Sequence, residues 1–143
     1  MITREQIVAE ARTWLDTKYH HLGRVKNAGV DCAGLIIGVA HAVGISPEVD
    51  VKGYSRLPDS VQMKTYLDQY LERIEIADAR AGDILFMSFA SDQPQHLAII
   101  SQYDAGIKYI IHAYATVKKC CEHFYDEIWK KRTVAAYAYK GVV

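Results

Sequence analysis

The segment from Ile84 to Tyr114 decides the fold, because it contains three short apolar runs: Ile84-Leu-Phe-Met-Ser-Phe89, Leu97-Ala-Ile-Ile-Ser-Gln102 and Lys108-Tyr-Ile-Ile-His-Ala-Tyr114. These runs are rich in Ile, Phe and Tyr, and turn residues separate them, which is typical of consecutive strands. Cys120 to Ile128 and Thr133 to Tyr139 are weaker strand candidates. The second half of the chain is therefore predicted to be a sheet.

Three helices are predicted before these strands. Thr3-Arg-Glu-Gln6 has the pattern of a capping box at the start of the first helix, residues 4 to 16. Asp31 is a good N-cap for the second, Cys32 to Val43, and Gly44 is a natural stop. Ser60 is predicted to cap the third, whose inner side is predicted to carry Met63, Tyr66, Leu67, Tyr70 and Leu71. Pro47 to Asp59 is predicted to be loop.

The order of elements, helices first and consecutive strands after, predicts an α+β fold with an antiparallel sheet. The chain has 143 residues, half of them apolar, and no internal repeat or linker. A chain of this length buries roughly 70% of its unfolded surface, which is enough for a core without disulfides or metals. We therefore predict a single domain over residues 1–143.

Charge and apolar patterning argue against several classes of protein. The 17 basic and 17 acidic residues cancel, so no bulk positive field favours nucleic acid. The longest apolar run, Ala33 to Val43, is too short to span a bilayer, and the first residues do not resemble a secretory signal. Three cysteines, an odd number, fit a reducing compartment. We expect a cytoplasmic protein with no nucleic-acid partner and no membrane span.

Cys32 is the candidate nucleophile. The first turn of a helix presents unpaired amides and the positive end of the dipole, and both favour the nucleophilic thiolate. The alternative is a packing role, since free cysteine is among the most buried residue types and this helix is apolar. Gly34 and Gly38, one turn apart on the same helix, predict a smooth strip where another backbone or a sheet approaches closely.

Two histidines are candidates for the groups that assist a cysteine nucleophile. His96 opens the strand Leu97-Ala-Ile-Ile100, and His112 lies one strand later. If the two strands pair as a hairpin, His112 is predicted to lie beside His96 and to fix the tautomer of its ring. The alternative for each is a satisfied core or edge histidine.

Four motifs, in order along the chain, resemble the NlpC family of bacterial and phage cell-wall cysteine peptidases. They are Tyr19-His-His with Gly29-Val-Asp-Cys-Ala-Gly-Leu-Ile36, then Ala81-Gly-Asp-Ile-Leu-Phe86, His96-Leu-Ala-Ile-Ile100 and Ile111-His-Ala113. Each motif is short, but their order, spacing and predicted context agree. Ala33 stands where the family more often has serine, and His-Leu-Ala where His-Val-Gly is commoner, which bears on substrate fit rather than on chemistry.

The resemblance implies a papain-like core in which the nucleophile helix packs on the antiparallel sheet. It implies that Cys32 is the nucleophile, His96 the general base and acid, and His112 the orienting residue, and that the Tyr19 hydroxyl helps to hold the oxyanion. It also implies an amide substrate in the peptidoglycan stem peptide, commonly after γ-D-glutamate, with no metal or other cofactor. The Tyr19-His-His start of the first motif and the short length without a signal look most like small phage-associated members, whose partners are tail or lysis proteins and whose delivery is by phage or by release at lysis.

Two other functions stay open at this point. A papain-like acyltransferase or esterase acting on a non-wall substrate would use the same cysteine and histidine. A non-catalytic phage tail or wall-binding module would keep the fold alone.

Asp83 is predicted to have a structural role at the start of its strand. Cys120-Cys121-Glu-His123 resembles metal-ligand spacing, but neighbouring cysteines seldom bind one zinc, so we expect no metal there.

Overall fold

Over residues 1–45, 60–88 and 94–143, which the computed structural model describes, the chain forms four helices and eight strands. The helices are α1 (Arg4–Arg12), α2 (Cys32–Val43), α3 (Ser60–Tyr70) and α4 (Glu127–Arg132). The strands are β1 (Arg24–Val25), β2 (Gly29–Val30), β3 (Leu71–Ile74), β4 (Ile84–Ser88), β5 (Pro94–Tyr103), β6 (Ile107–Tyr114), β7 (Lys119–Phe124) and β8 (Thr133–Tyr139). The predicted α+β class is confirmed.

Six of the strands form one antiparallel sheet in the order β3-β8-β4-β5-β6-β7. The strands β4, β5, β6 and β7 are neighbours both in sequence and in the sheet. The last strand, β8, lies between β3 and β4. The hairpin of β5 and β6, which the sequence predicted, therefore lies within the sheet rather than at its edge.

The helix that begins with Cys32 has the predicted bounds. Asp31 caps it by accepting a hydrogen bond from the amide of Gly34 at 2.7 Å. Gly44 ends it with φ +90°, a left-handed conformation that glycine adopts without strain. Of the two glycines within the helix, Gly34 faces the Gly23 carbonyl oxygen and Gly38 faces the Trp14 ring, where a Cβ would approach to 2.1 and 2.5 Å. The predicted close approach is thus made by a loop backbone and a side chain, not by the sheet.

The first helix is shorter than predicted. Its capping box is present, with Gln6 N donating to Thr3 Oγ1 and Thr3 N donating to Gln6 Oε1. The helix ends at Arg12, and Trp14 follows it in a turn but is still buried. The helix therefore ends before the predicted residue 16, although the chain beyond its end still contributes a buried side chain.

Two predicted elements differ in the structure. Leu71, assigned to the third helix, begins β3, and Tyr70 is exposed rather than inward. The candidate strand Cys120 to Ile128 is strand only to Phe124, and α4 follows it because Asp126 caps a new helix by accepting from Trp129 N at 3.1 Å. The predicted loop at Pro47–Asp59 lies outside the described residues, as does Phe89, the last residue of the first predicted strand. The strand β5 begins at Pro94, two residues before His96, which was predicted to open it.

The sheet separates two buried clusters. One, the helix face, joins Leu35 and Val39 of α2 to side chains from β4 and β5 such as Phe86 and Ile99. The other, the Trp129 face, joins alternate residues of the same strands to Trp129 of α4. Since successive side chains of a strand point to opposite faces, each strand residue belongs to one cluster or the other.

Asp83 connects the first helix to the sheet, in agreement with its predicted structural role. The carboxylate is buried, and its Oδ1 lies 2.6 Å from Arg4 Nη1. The second oxygen accepts from the amide of Arg80 at 2.9 Å, in the turn before β4. Among the described residues, no helix combines the length and apolar character needed to cross a membrane.

Candidate active site

Cys32 lies at the first turn of α2, against the start of β5. Its Sγ is 3.9 Å from the carbonyl oxygen of Gln95, and the Leu97 amide also faces the sulfur. The side chain packs in the cluster on the helix face and is 8% exposed. The sulfur therefore meets the backbone on both sides of His96.

Burial controls the acidity of this thiol. The pKa of Cys32 is raised to about 12, first by loss of solvent and second by the negative charge of Asp31. The amides of Leu97, Ala33 and Cys32 act in the opposite direction, but their effect is smaller. The sequence predicted that the helix end favours the thiolate. The structure reverses this direction, because the carboxylate that caps the helix acts on the same site and because the thiol is buried.

The rings of His96 and His112 lie next to each other across β5 and β6. Nε2 of His96 is 2.5 Å from Nδ1 of His112, so the nitrogen of His96 that His112 does not contact is Nδ1. Both side chains are buried. Burial is the first cause that lowers the pKa of His96 to about 3 and that of His112 to about 2, so both rings are neutral at neutral pH.

Both imidazoles lie on the Trp129 face of the sheet. The Trp129 ring is 4.9 Å from that of His112 and 6.3 Å from that of His96, centroid to centroid. Tyr114 stacks on His112 at 5.0 Å. Cys32 belongs to the cluster on the helix face, and its sulfur lies beside the β5 backbone at His96, between the Gln95 carbonyl and the Leu97 amide.

A third imidazole, which the sequence analysis did not assign to the site, extends the pair. Nε2 of His123 lies 2.6 Å from Nε2 of His112. In the sheet, His112 pairs with Cys121, so His123 is two residues further along β7 on the same face. The signal for it was the alternation of Cys121 and His123, which becomes informative only once β7 is paired with β6.

Tyr19 is placed by its backbone close to the start of α2. It forms a bridge with Val30, two residues before Cys32, and its amide donates to the carbonyl of Lys118 at 2.9 Å. The side chain is half-buried against the cluster that includes Cys32. Its predicted part in holding the oxyanion stays a prediction.

One group of side chains has the composition of a metal site. Ligand atoms of His112, Cys121 and His123 lie within 4.8 Å of one another, in the segment where the sequence analysis expected no metal. The two histidines already contact each other through Nε2, the atom each would use as a ligand. Lys119 and Arg132 line the adjoining cavity, and their positive charges oppose a bound cation.

The fold is similar to several solved structures. A lipoprotein-like NLP/P60 family protein from Staphylococcus aureus is 20% identical, with a TM-score of 0.66 over 95% of this chain, which spans 41% of that protein. The NlpC/P60 domain of the peptidoglycan hydrolase SagA is 23% identical, with a TM-score of 0.64 over 96% of this chain and 99% of that domain. RipB from Mycobacterium tuberculosis, a peptidoglycan hydrolase, is 16% identical, with a TM-score of 0.62 over 94% of this chain and 63% of that one.

These identities are low, so the likeness establishes the papain-like fold alone. No curated protein sequence matches the chain. The family model described as the NlpC/P60 family matches residues 16–138, which include Cys32, His96 and His112. The resemblance stated from the four motifs is thus confirmed over most of the sequence, and the chain belongs to the NlpC/P60 family.

Proposed function

We propose that the protein is a cysteine peptidase that hydrolyses an amide bond of the peptidoglycan stem peptide, on the carboxyl side of γ-D-glutamate. Membership of the NlpC/P60 family supports the class of substrate, as do the relatives SagA and RipB, which are described as peptidoglycan hydrolases. The observation that carries the proposal is the position of the Cys32 sulfur, 3.9 Å from the carbonyl of Gln95 and next to the amide of Leu97. His96 lies between these two residues.

In the proposed mechanism Cys32 is the nucleophile and His96 the base. Nδ1 of His96 takes the thiol proton as the sulfur attacks the amide carbon, so deprotonation and attack occur together. The oxyanion accepts a hydrogen bond from the backbone amide of Cys32, with Tyr19 as a second donor. The imidazolium then protonates the leaving amine, and a thioester remains on Cys32.

Water completes the reaction. Nδ1 of His96, neutral again, removes a proton from a water molecule that attacks the thioester carbonyl. Collapse of the second oxyanion releases the carboxylic acid and returns the proton to the Cys32 sulfur. His112 holds the His96 ring through the contact at Nε2, so the base keeps one orientation through both steps.

The resting state of this site is a neutral pair of thiol and imidazole. A raised pKa at Cys32 and a lowered pKa at His96 both disfavour the thiolate–imidazolium pair before substrate binds. Charge then develops only as the new bond forms, which is the condition under which backbone donors stabilise the transition state more than the ground state.

Digestion of purified peptidoglycan and of soluble stem peptides, followed by mass spectrometry, tests the proposal. The wild type is expected to cleave after γ-D-glutamate and Cys32→Ala to lose cleavage. Cys120→Ala is the matched control, since Cys120 is also buried but lies in β7. The product masses name the bond, and a cut elsewhere in the stem would contradict the proposed position.

Other outcomes of the same digestion favour other functions. Products joined to an added amine or alcohol acceptor would indicate an acyltransferase. If wall material stays intact while simple esters are cleaved in a Cys32-dependent way, the substrate is not the wall. Wall binding that Cys32→Ala leaves unchanged, without any turnover, would favour a binding module. Delivery to the wall by phage tail or lysis proteins is part of the same proposal, and co-purification with such proteins tests it.

A further inference from the structure

The hydrogen bonds of the imidazoles end at a group that can only accept. Nδ1 of His123 lies 2.9 Å from the carbonyl oxygen of Phe124. A carbonyl oxygen has no proton to donate, so Nδ1 of His123 must carry the hydrogen in this contact. In a neutral imidazole only one nitrogen is protonated, and Nε2 of His123 is therefore an acceptor.

This assignment fixes the proton positions in the other two rings. Because Nε2 of His123 accepts, Nε2 of His112 must donate across the 2.6 Å contact, which leaves Nδ1 of His112 without a proton. Nδ1 of His112 then accepts from Nε2 of His96 across the 2.5 Å contact. The remaining nitrogen, Nδ1 of His96, consequently carries the lone pair that a general base requires.

We propose that His123 is a positioning residue for the reaction, which sets the tautomer of His96 through His112 and the Phe124 carbonyl. The inference rests on the proposed function for its catalytic consequence, while the proton positions follow from the three contacts with each ring in its neutral form. Each hydrogen bond is donated in one direction, from His96 to His112, from His112 to His123 and from His123 to the Phe124 carbonyl. If the direction of donation were reversed, Nδ1 of His96 would carry a hydrogen and could not take the proton of Cys32.

Nitrogen-15 NMR of the imidazole rings tests the proton positions in the wild type without any substrate. We expect Nε2 protonated on His96 and His112, and Nδ1 protonated on His123. Nδ1 protonated on His96 would overturn the inference. So would stoichiometric zinc in the purified protein that Cys121→Ser removes, because a metal on Nε2 of His112 excludes a proton there.

Two variants separate an acceptor from a donor at position 123. In His123→Gln the amide oxygen accepts from His112 as the imidazole does, so the His96 tautomer and kcat/KM are retained within about tenfold. In His123→Lys the ammonium only donates. The His96 proton then moves to Nδ1, and kcat/KM falls about a hundredfold or more, the size of effect typical of losing a general base.

The outcomes separate this inference from the proposed function. If the wild type cleaves no wall substrate but shows the expected proton positions, the function is wrong and the arrangement of protons stands. If the wild type cleaves and His123→Lys is folded and equally active, the positioning role is wrong. Should His123→Lys not fold, as judged by urea unfolding, nitrogen-15 NMR of the wild type and of His123→Gln decides the matter, since both are expected to keep Nε2 of His96 protonated.

Discussion

The Cys32 sulfur donates a hydrogen bond to the carbonyl oxygen of Gln95, 3.9 Å away and 63 positions along the chain. Only a protonated thiol makes this contact, and a thiolate at the same place would face the negative end of the carbonyl dipole. The contact therefore agrees with the raised pKa of Cys32. Substrate has to reach a sulfur that is held in its less nucleophilic form.

Alkylation of Cys32 is expected to need alkaline pH. With a pKa of about 12, the thiolate fraction rises about tenfold for each pH unit between 7 and 9. We expect the iodoacetamide rate to rise in the same proportion. Mass spectrometry of a Cys120→Ala/Cys121→Ala protein isolates the reaction at Cys32. A rate that is already constant below pH 7 would show a preformed thiolate and contradict the structure.

Removing the charge of Asp31 is expected to make Cys32 more reactive. The carboxylate raises the pKa of this thiol, and asparagine is an equally good helix cap. Asp31→Asn should raise the alkylation rate at pH 8 by about threefold to tenfold, since one pKa unit corresponds to a factor of ten in thiolate. It should also lower the free energy of unfolding by about 1 kcal/mol, because Asp31 Oδ2 accepts from Leu22 N at 2.8 Å. An unchanged rate in a folded variant would mean that burial alone sets the acidity.

The buried histidines are expected to make the protein sensitive to acid. Their pKa values, about 3 for His96 and about 2 for His112, lie below the unfolded value of 6.5, so the unfolded state binds more protons between these limits. The contribution of the two neutral histidines to the free energy of unfolding is fully present above pH 6.5 and is lost as the pH falls. Between pH 7 and pH 5 two such groups together lower the free energy of unfolding by about 3–4 kcal/mol.

Urea unfolding at a series of pH values measures this loss. In His112→Gln one of the two groups is missing, and the decrease between pH 7 and pH 5 should be about half as large. His20→Gln, at an exposed position, is the matched control and should keep the wild-type dependence. If the free energy of unfolding decreased equally between pH 7 and pH 5 in wild type and His112→Gln, a neutral, buried His112 would be contradicted.

Asp83 is expected to contribute strongly to stability. In Asp83→Ala the Arg4 guanidinium loses its partner at 2.6 Å and the Arg80 amide loses its acceptor. Since Arg4 is partly exposed, we expect a loss of about 2–3 kcal/mol in the free energy of unfolding, measured with urea. Asp104→Ala removes an exposed partner of Lys108 at 3.3 Å and should change the same quantity by less than about 0.5 kcal/mol. Similar losses in the free energy of unfolding in both variants would show that burial of the Asp83 carboxylate does not strengthen its contribution.

The parts of the fold that could be predicted were those with local signals. The cap at Asp31 and the stop at Gly44 fix α2, and the apolar runs identify β4, β5 and β6. The strand β3 gives no such signal. It follows the third helix without a break, and Leu71 has the spacing of that helix, so only pairing with β8 makes it a strand.

The same reasoning explains what was found and missed in the candidate site. His96 and His112 follow from strand alternation once β5 and β6 form a hairpin, and their rings are in contact. His123 was missed because its alternation with Cys121 becomes informative only once β7 pairs with β6, and Trp129 because it lies in α4, a helix that was not predicted. The acidity of Cys32 was mistaken in direction, because burial is a property of the packed molecule and not of helix position.

The place of β8 in the sheet has a consequence for the order in which the molecule folds. Strands β4 to β7 pair with their neighbours in sequence, so short loops close first and form a four-stranded unit early. The strand β3 has β8 as its partner, so Leu71 can pair only after Tyr139, near the end of the chain, has joined the sheet. Refolding is expected to be slow in its last phase, when β8 docks and carries β3 with it. The histidine rings, held between β5, β6 and β7, would then be assembled before the sheet is complete.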